Sequence, residues 1–174
     1  MNQTEETKDL TCPSAPHNLP GAKLLGVVLG EEDAPRVAYL KKKVELKDAV
    51  DTEKLDIDPG HAFRFSGKCA NSGCGQWKDG GCRLGKDITE KLAPVVQTAP
   101  ACSIRATCRW FEENGVQACL RCPQVTTRVH KRDARLFAVA KDVPGKGPDE
   151  DAPTPPPAQL QPRAQAAPIK ENIQ

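Results

Sequence analysis

Large aromatic side chains are scarce in this chain, which has two Trp, one Tyr and four Phe among 174 residues. Such side chains dominate burial in most domains of this size, so the apolar core must be modest or supplemented by something else. Strong net charge is also lacking. Twenty-five basic residues face 23 acidic ones, for a formal charge of +2, which creates no field that calls for a polyanionic partner; nucleic acid is therefore not expected. No window approaches the length of continuous apolar sequence that a membrane span needs. The opening stretch "MNQTEETKDLTCPSAPHNLPG" carries acids where an export signal needs a basic start and an apolar run. These absences read as a cytoplasmic chain.

Familiar catalytic signatures are missing too. The sequence holds no phosphate-binding Walker loop, no G-x-S-x-G, no H-E-x-x-H and no cysteine with an obvious histidine neighbour. An enzyme is thus the less favoured reading. His17, His61 and His130 are far apart in sequence and read as surface or turn residues.

What the chain does have is cysteine: Cys12, Cys69, Cys74, Cys82, Cys102, Cys108, Cys119 and Cys122. In a reducing compartment these are metal ligands before they are disulfides. The last seven fall in two groups. Cys69, Cys74 and Cys82 lie in the glycine-rich "SGKCANSGCGQWKDGGCRLG", where the chain can turn sharply enough to wrap a metal. The other four lie in "CSIRATCRWFEENGVQACLRCP".

In that second stretch Ser103 is placed to cap a helix running from about Ile104 to Gly115, with glycine suited to the left-handed closing position. Ile104, Cys108 and Phe111 then share one inward face. Cys102 precedes the helix, Cys119 and Cys122 return on the following loop, and Pro123 closes the turn. One helix and one loop thereby bring four thiols together. Arg105, Arg109 and Arg121 are interleaved with them, where guanidinium groups would stabilise an anionic thiolate centre and act as cofactor-binding residues. Arg109 is equally well placed to pair with Glu113 one turn on. Trp77 and Trp110 are positioned to shield a centre from water or simply to fill the core.

Structural zinc favours two short cysteine pairs. Pairing Cys69 and Cys74 with Cys119 and Cys122 would leave Cys12, Cys82, Cys102 and Cys108 without a role. Iron–sulfur sites accept wider spacings, so the expectation is an iron–sulfur protein with two four-thiolate cages, each a 4Fe–4S cluster. Cys102, Cys108, Cys119 and Cys122 form one cage. Cys69, Cys74 and Cys82 form most of the other, completed by Cys12 or, failing that, His61. The corresponding function is electron transfer or redox assistance to an enzyme partner. A zinc-stabilised module that binds nucleic acid or protein is the alternative, with the Arg and Lys residues around Cys102 to Arg135 as its contact surface.

Around these groups the expected organisation is an N-terminal arm at 1–20, a β-hairpin region at 21–58, the cysteine-rich metal-binding region at 59–141 and a disordered proline-rich tail at 142–174. The hairpin follows from "KLLGVVL" and "RVAYLKKKVEL" on either side of the turn-forming "GEEDAP". Lysines 41–43 read as an edge-protecting face. From residue 143 on, the chain holds half of its 16 prolines and almost nothing large and apolar. The fold class is α+β, small and partly irregular, with the hairpin packed on the metal-binding region and short helices.

Overall fold

A computed structural model describes residues 9–49, 51, 54–130 and 132–140. The tail at 142–174 lies outside the described residues. The fold is mixed α+β, built on a four-stranded antiparallel sheet with short helices against it. In chain order the strands are β1 (Thr11–Cys12), β2 (Lys23–Leu29), β3 (Arg36–Glu45) and β4 (Phe63–Lys68), lying side by side as β1-β4-β2-β3. A separate two-stranded ribbon joins β5 (Trp77–Lys78) to β6 (Gly81–Cys82). The helices are α1 (Leu46–Ala49), α2 (Pro59–Ala62), α3 (Arg83–Lys91), α4 (Arg109–Arg121) and α5 (Ala134–Ala140). Among the described residues no helix is long and apolar enough to cross a membrane.

The hairpin forms as its turn chemistry requires, with Leu29 opposite Arg36 and Lys23 opposite Glu45. Strand β3 is an edge strand, and Lys41, Lys42 and Lys43 are exposed along it, where charge discourages pairing with another sheet. A bulge between Leu24 and Gly26 shifts the register on both sides of β2. Beyond it, Gly26 lies opposite Tyr39 on β3 and opposite Arg64 on β4. Residues directly opposite in a sheet share a face, so Tyr39, Gly26 and Arg64 form one row. A Cβ on Gly26 would sit 2.7 Å from the Ala38 carbonyl oxygen. The row therefore admits no side chain at its centre.

Alternation along β4 divides its residues between two faces. Phe65 and Gly67 meet the N-terminal arm: the ring of His17 stands 6.1 Å from that of Phe65, and a Cβ on Gly67 would strike Leu19. Arg64 and Ser66 face the opposite way, toward the helices. There Leu25 joins Leu84, Ile88, Ile104, Trp110, Val125 and Leu136 in one buried cluster. Cys108 belongs to this cluster, with Cys82, Cys102 and Cys122 packed against it. Thiols thus occupy positions that aromatic residues hold in richer cores.

Helix α3 buries Leu84 and Ile88 at i and i+4, with Leu92 continuing the stripe at its C-terminal cap. It approaches α4 closely because residue 85 is glycine: a Cβ there would fall 2.6 Å from Cδ1 of Trp110. Gly85→Ala should therefore destabilise the protein by about 1–3 kcal/mol through overpacking. Gly73→Ala, whose new Cβ would meet nothing nearer than Ala70 at 3.9 Å, should change little. Urea denaturation of the two variants checks this contrast.

Candidate functional site, a four-thiol cavity

Residues 102–124 fold differently in detail from the helix and loop expected of them. The chain makes a 3₁₀ turn at Arg105–Thr107 and enters α4 only at Arg109. Cys108 occupies the N-cap of α4, with extended backbone, and is not on a helical stripe. Ser103 does not start a helix. Gly115, with φ of 61° and ψ of −153°, a conformation open to glycine and not the left-handed helical one, breaks the helical path, but a second helical stretch follows. Cys119 accordingly sits on helix rather than loop, and Cys122 opens the 3₁₀ turn Cys122–Gln124, in which Pro123 is buried.

The four cysteines still border one space. Cys102, Cys108, Cys119 and Cys122 line a single cavity together with Pro13, Leu25, Tyr39, Arg105, Trp110 and Phe111. Its volume is about 20 Å³, room for one water molecule. Burial pushes the Cys108 thiol up to about 12, and the neighbouring Cys122 and Cys102 add to the effect. Burial also raises Cys102 and Cys119, with further upward pressure from the other thiols of the group. Without a bound cation these thiols are held neutral.

Polar groups nonetheless point at the sulfurs. The Tyr39 hydroxyl donates to Cys122 Sγ at 2.9 Å, and burial followed by the Cys122 charge holds that hydroxyl well above its ordinary value. Arg64 places one guanidinium nitrogen 3.7 Å from the same sulfur. The Arg105 guanidinium favours the Cys119 thiolate, and the backbone N–H of Ile104 favours that of Cys102. Cys108 closes no capping hydrogen bond, yet the N–H groups of Phe111 and Trp110 in the first turn of α4 favour its thiolate. All four sulfurs thus face donors.

Arg64 is completely buried, at 0% exposure. Its Nε donates to the Pro13 carbonyl and another nitrogen to that of Val125, and its Cζ lies 5.2 Å from the centre of the Trp110 ring. Among the described residues it forms no ion pair with a carboxylate; the acidic-type group that it touches is Cys122. A buried cation without a counter-charge is costly. Neither Arg64 nor Tyr39 is signalled by local sequence, because each meets Cys122 across a separation of 58 and 83 residues respectively.

The first cysteine group is more open. Cys82 is the N-cap of α3, its sulfur accepting the Gly85 N–H at 3.5 Å. Burial raises its thiol, while the nearby Glu113 and Cys69 also raise it. The Trp110 indole favours the Cys82 thiolate, although its N–H, buried within the core, closes no hydrogen bond. Cys74 is exposed, with its sulfur accepting the Gln76 N–H at 3.4 Å. Cys12 lies opposite Gly67 on β4, and the Cys69 N–H donates to the Leu10 carbonyl one strand over. His61 stands elsewhere, its ring 5.5 Å from that of His130 in a depression that Glu32, Asp58 and Arg128 also line. Among the described residues no three His, Cys, Asp or Glu side chains are arranged to hold a single metal ion.

The three arginines expected at the site divide. Arg105 lines the cavity. Arg109 supports the first cysteine group: it stabilises the Cys69 side, pairs with Glu113 at 3.2 Å, bonds Asn71 and lies 4.9 Å over the Trp77 ring. Arg121 instead ties α4 to the end of α3, donating to the Leu92 carbonyl at 2.6 Å and to Gln117. In the basic run after Thr126, Arg128 pairs with Asp58 and Arg132 with Glu32, both at 3.0 Å.

A raised thiol has a consequence for the metal-free chain. Cys108 binds its proton more tightly when folded than at the ordinary value of 9.0, so its contribution is complete below pH 9 and is lost as pH rises toward 12. Metal-free protein should weaken across that window by a few kcal/mol at most, and Cys108→Ala should flatten the slope; denaturant titrations at stepped pH check this. Compared with known proteins, the chain matches no family model, no curated protein and no solved structure.

Proposed function

We propose that Cys102, Cys108, Cys119 and Cys122 hold an iron–sulfur cluster, and that the chain is an electron-transfer or redox-accessory protein serving an enzyme partner. The observation that carries this reading is the buried Arg64, which reaches Cys122 at the four-cysteine cavity and, among the described residues, pairs with no carboxylate. Neutral thiols leave its charge uncompensated. Thiolates bound to a metal assembly remain anionic and compensate it, with Arg105 supplying a second cation at the cavity wall. Iron–sulfur is favoured over a lone zinc ion because the wide and irregular cysteine spacings suit it better than the two short pairs that structural zinc favours. A cluster supplies one-electron chemistry when bound; the chain's part is to hold it in apolar surroundings, aim donors at its sulfur ligands and limit access of water.

The cavity is too small as it stands for such a group. Loading it requires the thiols to part, and the irregular segment 93–104, which carries Cys102, is the least constrained wall by secondary structure. A second cluster would draw on Cys69, Cys74 and Cys82 with Cys12, beside Arg109. The intramolecular pairing of Arg128 and Arg132 speaks against the basic run as a nucleic-acid surface.

Protein purified without oxygen should be brown and contain iron and acid-labile sulfide in equal amounts. Cys108→Ser and Cys122→Ser should each remove the cluster of the four-thiol cavity and, because ligation and folding are linked, lower stability by several kcal/mol. Cys12→Ser should leave that cluster in place. A colourless protein with zinc and no sulfide would overturn the reading.

A further inference from the structure

Three separate pieces of chain meet at one end of the sheet: the β2–β3 turn, the segment 55–58 that leads into α2, and the segment 126–130. They border a depression of about 520 Å³, a size usual for small-molecule sites. It shares no lining residue with the four-thiol cavity. Asp58 caps α2 by accepting the Gly60 N–H at 2.7 Å and holds Arg128 with its other oxygen at 3.0 Å, while the Arg128 N–H donates to the Gly60 carbonyl at 3.1 Å. Glu32 on the turn lies 3.2 Å from Nε2 of His130 and pairs with Arg132 at 3.0 Å. The three pieces are thereby tied together.

That pairing uses up Asp58 and Glu32 but leaves the lining acidic, because Glu31 and Asp56 also border the depression, are exposed, and form no ion pair among the described residues. Polar groups inside it are unanswered too. Thr126 is only 6% exposed and lines the depression, and among the described residues its hydroxyl closes no hydrogen bond. The buried Nδ1 of His130 has no partner either. A buried polar atom left unpaired is costly, so both are places where a bound group can close a hydrogen bond. Val28, Pro35, Leu55 and Ile57 supply the apolar part of the lining, with Ile57 49% exposed. The geometry points to this depression as a binding site for a small organic cation, an ammonium group carried on an apolar body. The charge is selected by Glu31 and Asp56, an ammonium brings donors and no acceptor, and the four apolar residues take the body. An anion would meet those same two carboxylates and find Arg128 engaged by Asp58.

The test is an NMR titration of the full-length protein at fixed pH, with hexylamine as the probe and the imidazole C–H signals of the three histidines as the readout. His61 and His130 should shift and saturate together, while His17, whose ring lies 6.1 Å from that of Phe65, stays still. Hexanol has the same body without charge, hexanoate carries the opposite charge, and ammonium chloride has the charge without the body; each should bind at least about tenfold more weakly than hexylamine. Asp56→Asn and Glu31→Gln, both at exposed positions, should each weaken hexylamine severalfold, and Thr126→Val should weaken it while keeping the side chain's shape. Asp48→Asn, an exposed carboxylate outside the lining, should leave it unchanged. Hexanoate that binds as tightly as hexylamine overturns the proposal, as does a folded double variant, Asp56→Asn with Glu31→Gln, that binds hexylamine like the wild type. Failure of His61 and His130 to saturate at millimolar hexylamine overturns it too. Iron and sulfide content enters none of these outcomes, so the cluster reading stands or falls separately.

Discussion

A guanidinium buried at 0% exposure governs the rest of this structure. Arg64 ties the N-terminal arm to β4 through the Pro13 carbonyl and the turn after α4 to the same strand through that of Val125. One of its faces lies against Trp110, which is 1% exposed and in turn packs on Gly85 of α3. Arm, sheet and both longer helices therefore meet at one charged side chain. Such an arrangement is stable only if the charge is answered, and Cys122 is the group of acidic type within its reach.

The shortage of aromatic residues and the abundance of cysteine are two sides of one design. Cys108 is part of the core cluster, and Cys82, Cys102 and Cys122 border it. Two of the cysteines, Cys82 and Cys108, also stand at the N-caps of α3 and α4, where the helix N-terminus favours a thiolate over a thiol. Burial acts in the opposite direction on both. The balance between these influences sets the protonation of the two thiols, and with it the polarity of the core at those helix ends.

The hairpin was legible because it is a local event: two branched runs and a turn of Gly, acids and Pro suffice to set it. The grouping of Cys102, Cys108, Cys119 and Cys122 was legible for a similar reason, since 21 residues of chain with a glycine bend leave few ways to keep four thiols apart. The helix start was misread because Ser103 has the chemistry of an N-cap, whereas the chain first takes a 3₁₀ turn and caps α4 with Cys108. Gly115 has a positive φ but not the left-handed helical backbone expected of it, and it kinks α4 and does not end it. Tyr39 and Arg64 could not be read at all. Their role depends on the register of three strands, and that register turns on a bulge beside Gly26 that no local pattern announces.

The central claim is that the thiols around Arg64 exist to hold iron through sulfur. X-ray absorption at the iron edge of the anaerobically purified protein tests it most directly. The account predicts a first coordination shell of sulfur alone with a second shell of iron neighbours, and a loss of iron per chain in Cys122→Ser. A first shell of nitrogen or oxygen, or iron with no iron neighbour, would contradict it.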